Sequence, residues 1–112
     1  MDYRIEELAV KIKSNLTQTL NIEQMAESIN VSVSYLQHLF KREVGISIVK
    51  YVKELRLQAA RELLETTHLS VKEICMKVGV TNETHFPLDF KQKFGRTPIE
   101  YRKNYRDNKK GW

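Results

Sequence analysis

Ser34, Gln37, His38 and Lys41 stand at positions i, i+3, i+4 and i+7. On an α-helix that spacing lines one face, and the apolar Leu36, Leu39, Phe40 and Val44 then fall on the opposite one. The polar set has the chemistry needed to read a duplex through its major groove. Gln pairs in bidentate fashion with adenine, a Ser hydroxyl donates or accepts, and a Lys at the edge of the face suits a phosphate. His38, beside Gln37, is a further candidate for a base contact. The same residues would also make an ordinary solvated face, so the choice depends on the elements that present them.

Other chemistries find no support. No nucleophile–base pair, carboxylate pair, phosphate-binding loop or metal cluster is legible, which reads as a protein that is not an enzyme and needs no cofactor or metal. The single Cys75 cannot form an internal disulfide, and His38, His68 and His85 do not stand with it at a metal-ligand spacing. With 112 residues, 41% of them hydrophobic, the chain can build one compact domain or two very small ones. Its formal charge of +5, from 19 basic and 14 acidic residues, favours an anionic partner only weakly. No apolar run is long enough to cross a bilayer, and MDYRIEEL lacks the basic start and apolar stretch of a secretory signal. A cytoplasmic protein without a membrane partner is expected.

Four glycines and two prolines leave few breaks, so the chain reads as all-α with about seven helices. Ile5, Leu8, Ala9, Ile12 and Leu16 predict a first amphipathic helix over roughly residues 2–14. Sliding the chain on itself by 49 residues lays Leu20, Ile22, Met25, Ala26, Ile29 and Val31 over Leu69, Val71, Ile74, Cys75, Val78 and Val80. An offset of 50 then lays Leu36, Phe40, Lys41, Val44 and Gly45 over Phe86, Phe90, Lys91, Phe94 and Gly95. The unit is duplicated with one insertion.

Within each copy, Asn21 with Gln24 and Ser70 with Glu73 have capping-box spacing, so two short helices start at matched places. Each is expected to end at a residue that tolerates the left-handed conformation, Asn30 or Gly79, with Ser32 or Thr81 capping the next helix. Ala26 and Cys75 supply the small side chain that lets the second helix pack across the first, so Cys75 is assigned no reactivity. Two helix-turn-helix (homeodomain-like) subdomains emerge, with candidate reading helices near 33–43 and 82–94.

Between them, Ser47 can cap a linker helix running to about Thr66, long enough to span about 30 Å. A last helix starts at Thr97-Pro98-Ile99-Glu100, with Thr97 as cap, and is expected to fray near Arg106. The division is then 1–46 for the first subdomain, 47–66 for the linker helix, 67–106 for the second subdomain and 107–112 for a basic tail. From Arg96 onward there are six basic residues against two acidic ones, which makes Arg96 a phosphate candidate or simply part of a solvated end.

The stretches VSVSYLQHLFKREVGIS, YVKELRLQAARELL, SVKEICMKVGV and HFPLDFKQKFGRTPIEYR resemble the DNA-binding domain of AraC/XylS transcription regulators, over nearly the whole chain. The more specific elements are Tyr51, Arg56, Leu57, Ala60, Leu63 and Leu64, then Val78-Gly79, Phe90-Lys91, Phe94-Gly95, Pro98 and Tyr101-Arg102. The resemblance implies sequence-specific binding of double-stranded DNA, with Ser34, Gln37 and His38 facing bases and Glu83 and Thr84 as their candidates in the second unit. It also implies RNA polymerase as a partner and a separate sensor or dimerisation domain not present in these residues. The chain is then either a C-terminal domain or a small regulator complete in itself. A helical protein-interaction module without base readout is the alternative.

Two residues depart from the family's pattern. Where its second reading helix usually has a small polar residue followed by Arg, this sequence has Pro87 and Leu88. Inside a helix begun at Thr81, Pro87 would cost roughly 3 kcal/mol or impose a kink. Phasing also puts Leu88 outward and Asp89 toward the core. The expectation is a loosened turn over 82–86 that rotates the remainder of the helix, turning Leu88 inward and Asp89 outward. The second unit would then read bases poorly and hold phosphates through Lys91 and helix-terminus amides. Both units are expected to dock in adjacent major-groove segments, and about 30 Å against a turn repeat of roughly 34 Å requires bent DNA or partial disengagement.

Overall fold

The computed structural model describes residues 2–110, so Gly111 and Trp112, the end of the expected basic tail, lie outside the described residues. Seven helices and no strand appear among the described residues: α1 (Tyr3–Ser14), α2 (Ile22–Ser28), α3 (Val33–Val44), α4 (Ile48–Thr66), α5 (Val71–Val78), α6 (Phe86–Phe94) and α7 (Pro98–Lys110). The chain divides into two units between Leu55 and Arg56, inside α4. The linker helix therefore contributes to both cores. Its first part buries Ile48 and Val52 in the first unit, and its second part buries Leu57, Ala60 and Leu64 in the second.

In the first unit, Asp2 caps α1 by accepting from the Arg4 amide at 2.9 Å, and the helix buries Ile5, Leu8 and Ile12. Asn21 caps α2 by accepting from the Gln24 amide at 3.0 Å. Ala26, 2% exposed, lets α3 approach closely enough for Leu36, Leu39 and Phe40 to complete the core. The turn between α2 and α3 is closed by Val31 N–H donating to the Ala26 carbonyl at 3.0 Å, with Asn30 at φ 58°.

The second unit repeats this plan. Leu57, Ala60 and Leu64 of α4 stand where Ile5, Leu8 and Ile12 stand in α1, at the same spacing. Ser70 and Glu73 form the reciprocal capping box at the start of α5, each bond 3.1 Å. Cys75 takes the place of Ala26, and Val80 N–H donates to the Cys75 carbonyl at 2.9 Å. Gly79, at φ 85°, adopts the left-handed conformation that this closing bond needs and that a Cβ disfavours.

The duplication also extends one helix further, since the same offset of 50 lays Ser47 and Tyr51 over Thr97 and Tyr101. Ser47 caps α4 through the Lys50 amide at 3.2 Å, and Thr97 caps α7 through the Glu100 amide at 3.3 Å, with Glu100 returning a bond to the Thr97 amide at 3.0 Å. One turn in, Tyr51 packs on Phe40 with ring centroids 5.4 Å apart, and Tyr101 packs on Phe90 at 5.6 Å. Such tilted aromatic pairs fix the angle at which a reading helix meets the helix after it.

Candidate nucleic-acid interface

Ser32 caps α3 by accepting from the Tyr35 amide at 3.1 Å, which starts the helix in the register expected from its sequence. Leu36, Leu39 and Phe40 are at most 1% exposed, while Ser34, Gln37, His38 and Lys41 are all exposed. One ridge therefore carries an amide, a hydroxyl, an imidazole and an ammonium group into solvent. Tyr35, 46% exposed, flanks it. Gly45 ends α3 in the left-handed conformation, its N–H donating to the Lys41 carbonyl at 2.8 Å.

The second reading helix departs from expectation in two ways. First, Thr81 is not its cap. Residues 83–85 form a turn in which Asn82 accepts from the His85 amide at 3.2 Å, and α6 begins only at Phe86. Pro87 thus lies in the first helical turn, where amides have no intrahelical partner, and the cost of an interior proline is avoided. The loosened turn is as expected, but it holds Glu83 and Thr84, so these two exposed base-contact candidates sit before the helix and not on it.

Second, the expected rotation does not occur. Leu88 points outward, 63% exposed, and Asp89 faces partly inward with its side chain 19% exposed. The reason is aromatic. Phe86, Phe90 and Phe94 stack along one side of α6, with neighbouring centroids 5.9 and 4.6 Å apart, and Phe86 and Phe90 are at most 2% exposed. Turning Leu88 inward would pull these rings toward water, and each buried ring is worth about 1.5–3 kcal/mol. Asp89 is accommodated by accepting from His85 Nδ1 at 3.2 Å within the first turn, where the helix dipole favours a carboxylate.

Of the phosphate candidates, Lys91 is exposed on α6, and exposed Arg96 donates to Asn104 Oδ1 at 3.3 Å. Two arginines of the basic C-terminal stretch bond the fold itself. Helix α7 continues past Arg106 to Lys110, and Arg102 and Arg106 donate to the carbonyls of Leu64 and Thr67 at 3.1 and 3.2 Å. They satisfy orphan carbonyls at the end of α4, where the helix dipole also favours cations. Arg106 additionally meets His68 Nδ1 at 3.1 Å, and the Tyr101 hydroxyl donates to Glu65. Burial, followed by that hydrogen bond, pushes the Tyr101 phenol up to about 12. Only the i, i+4 spacing of Arg102 and Arg106 hinted at this role, and charge counting concealed it. Burial, aided by the Glu83 charge, pushes the Cys75 thiol up to about 11, which fits a packing residue and not a nucleophile.

Two units that each close a tight turn between a short helix and an exposed polar helix define a tandem helix-turn-helix domain. A family model described as a helix-turn-helix domain matches residues 25–104. Among curated proteins, the HTH-type transcriptional regulator MtrA of Neisseria gonorrhoeae is 36% identical over 102 residues, covering 91% of this chain and 34% of that protein. The C-terminal domain of AraT, a response regulator from Geobacillus stearothermophilus, is 33% identical, with a TM-score of 0.84 over 92% of this chain and 86% of that one. The DNA-binding domain of AdpA, solved in complex with a target DNA, shares the fold with a TM-score of 0.88 at 22% identity, covering 96% of each chain.

The chain belongs to the AraC-type helix-turn-helix family, whose members are DNA-binding domains of transcription regulators and not enzymes. It spans about a third of the length of the curated relatives it matches. Among the described residues, no helix is long and apolar enough to cross a membrane.

Proposed function

We propose that this chain binds double-stranded DNA sequence-specifically, with α3 as the principal reading helix. The observation that carries the proposal is the ridge of Ser34, Gln37, His38 and Lys41, exposed along a helix whose opposite side is sealed by Leu36, Leu39 and Phe40. Gln37 presents a donor and an acceptor together, as bidentate pairing to adenine demands, and Ser34 and His38 read neighbouring edges. Lys41, Lys91 and Arg96 take phosphates, which orient the domain without carrying sequence information. Glu83 and Thr84 are the polar base-contact candidates of the second unit.

The same proposal makes the protein a cytoplasmic transcription regulator. RNA polymerase and a separate sensor or dimerisation domain belong to it as further partners, and the roughly two thirds of each curated relative that this chain does not match are long enough for the separate domain. In-vitro selection of bound duplexes followed by mobility shifts tests the DNA reading. Binding should weaken steeply with salt, and Gln37→Ala should cost roughly 1–3 kcal/mol only at one base pair. A uniform loss at every sequence would remove Gln37 from the readout. Binding blind to both sequence and salt would leave only a helical interaction module.

A further inference from the structure

The internal duplication places the two units' ridges in correspondence. At an offset of 50, Ser34, Gln37, His38 and Lys41 fall on Thr84, Pro87, Leu88 and Lys91. An isolated leucine on a protein surface is ordinary. Leu88, however, occupies the place of His38, on a helix locked in rotation by Phe86, Phe90 and Phe94, so it has no inward alternative. Exposed Thr84 precedes it, and exposed Lys91 and Gln92 come one turn later, giving an apolar point with a polar and cationic surround.

A leucine side chain neither donates nor accepts a hydrogen bond. On the floor of a major groove, the one base feature that rewards it is the C5-methyl group of thymine. We infer that the second unit reads thymine methyl groups, with Leu88 as its specificity-determining residue. The two units then use different chemistry. The first reads hydrogen-bond patterns through Gln37 and its neighbours, and the second reads shape and apolar surface through Leu88. Lys91 holds the adjacent phosphate in register, so Leu88 does not need a hydrogen bond to fix its position.

The inference rests on the DNA reading proposed above, and one experiment separates the two. The whole chain is used to select duplexes, and each thymine of the selected site is then replaced by deoxyuridine, which removes only the methyl group. At one thymine, the replacement should weaken binding roughly fourfold, the worth of one methyl taken out of water. Replacing the T·A pair by 5-methylcytosine·guanine at that position should retain most of the affinity, whereas unmethylated cytosine·guanine should not. Leu88→Ala, a change at an exposed position, should bind the original site more weakly and lose less than twofold further on deoxyuridine replacement. Sequence-selective binding in which no methyl loss is abolished by Leu88→Ala overturns the inference and leaves the proposed function standing. Binding without any sequence preference overturns both.

Discussion

His38-Leu39 in α3 and Leu88-Asp89 in α6 occupy corresponding positions with their polarity reversed. Leu39 is 1% exposed beneath a solvent-facing imidazole, whereas Leu88 is 63% exposed above a half-buried carboxylate. The helices nevertheless keep the same rotation, because Leu36 and Phe40 in one, and Phe86 and Phe90 in the other, anchor them at i, i+4 spacing. Two adjacent residues of the wrong polarity are thus outvoted by the aromatic side of the helix. The duplicated scaffold has held its packing while its outer ridge has been free to change chemistry.

If that comparison is right, the two cores should be equally dependent on their central ring. Phe40 and Phe90 are both 0% exposed, so Phe40→Ala and Phe90→Ala should each cost about 3–5 kcal/mol. Amide hydrogen exchange should show the loss confined to the unit that carries the substitution. A much smaller loss for Phe90→Ala would mean that Phe86 and Phe94 hold α6 without it.

The helix starts should differ more than the cores. Ser32→Ala removes the cap of α3 and should cost about 1 kcal/mol in urea unfolding. Thr81→Ala, at the position expected to cap the second reading helix, should cost close to nothing because Asn82, which the offset of 50 lays on Ser32, holds the turn instead. Equal losses would restore Thr81 as a cap and break the distinction.

Acid should weaken the second unit through its capping boxes. Backbone hydrogen bonds from Ser70 and Thr97 lower the pKa of Glu73 and Glu100 below the usual carboxylate value. A carboxyl depressed in the folded state contributes stability above its unfolded pKa and loses it as pH falls through the folded one. Glu73→Gln and Glu100→Gln should therefore flatten the decline in stability below about pH 4.5, the ordinary Glu value. An unchanged decline would place the acid sensitivity elsewhere. The smallest effect should come from Pro87→Ala, within about 0.5 kcal/mol either way, because the first turn of a helix tolerates proline. A gain near 3 kcal/mol would show that Pro87 does strain the helix.

Most of this architecture is written in local signals. Apolar spacing, the caps at Asn21, Ser32, Ser70 and Thr97, and the left-handed positions Asn30 and Gly79 depend on residues within a few positions of one another, so they can be read from the chain alone. The exposed ridge of Ser34, Gln37, His38 and Lys41 comes from α3's phase for the same reason. Tertiary structure was needed for every choice between competing partners. Whether Leu88 or the phenylalanines faced inward depended on which contacts α6 makes with its unit's core. That Arg102 and Arg106 bond the end of α4 depended on carbonyls 38 and 39 residues away. Local preference sets the phase of each helix, but only packing between distant segments ranks the burial of one side chain against another.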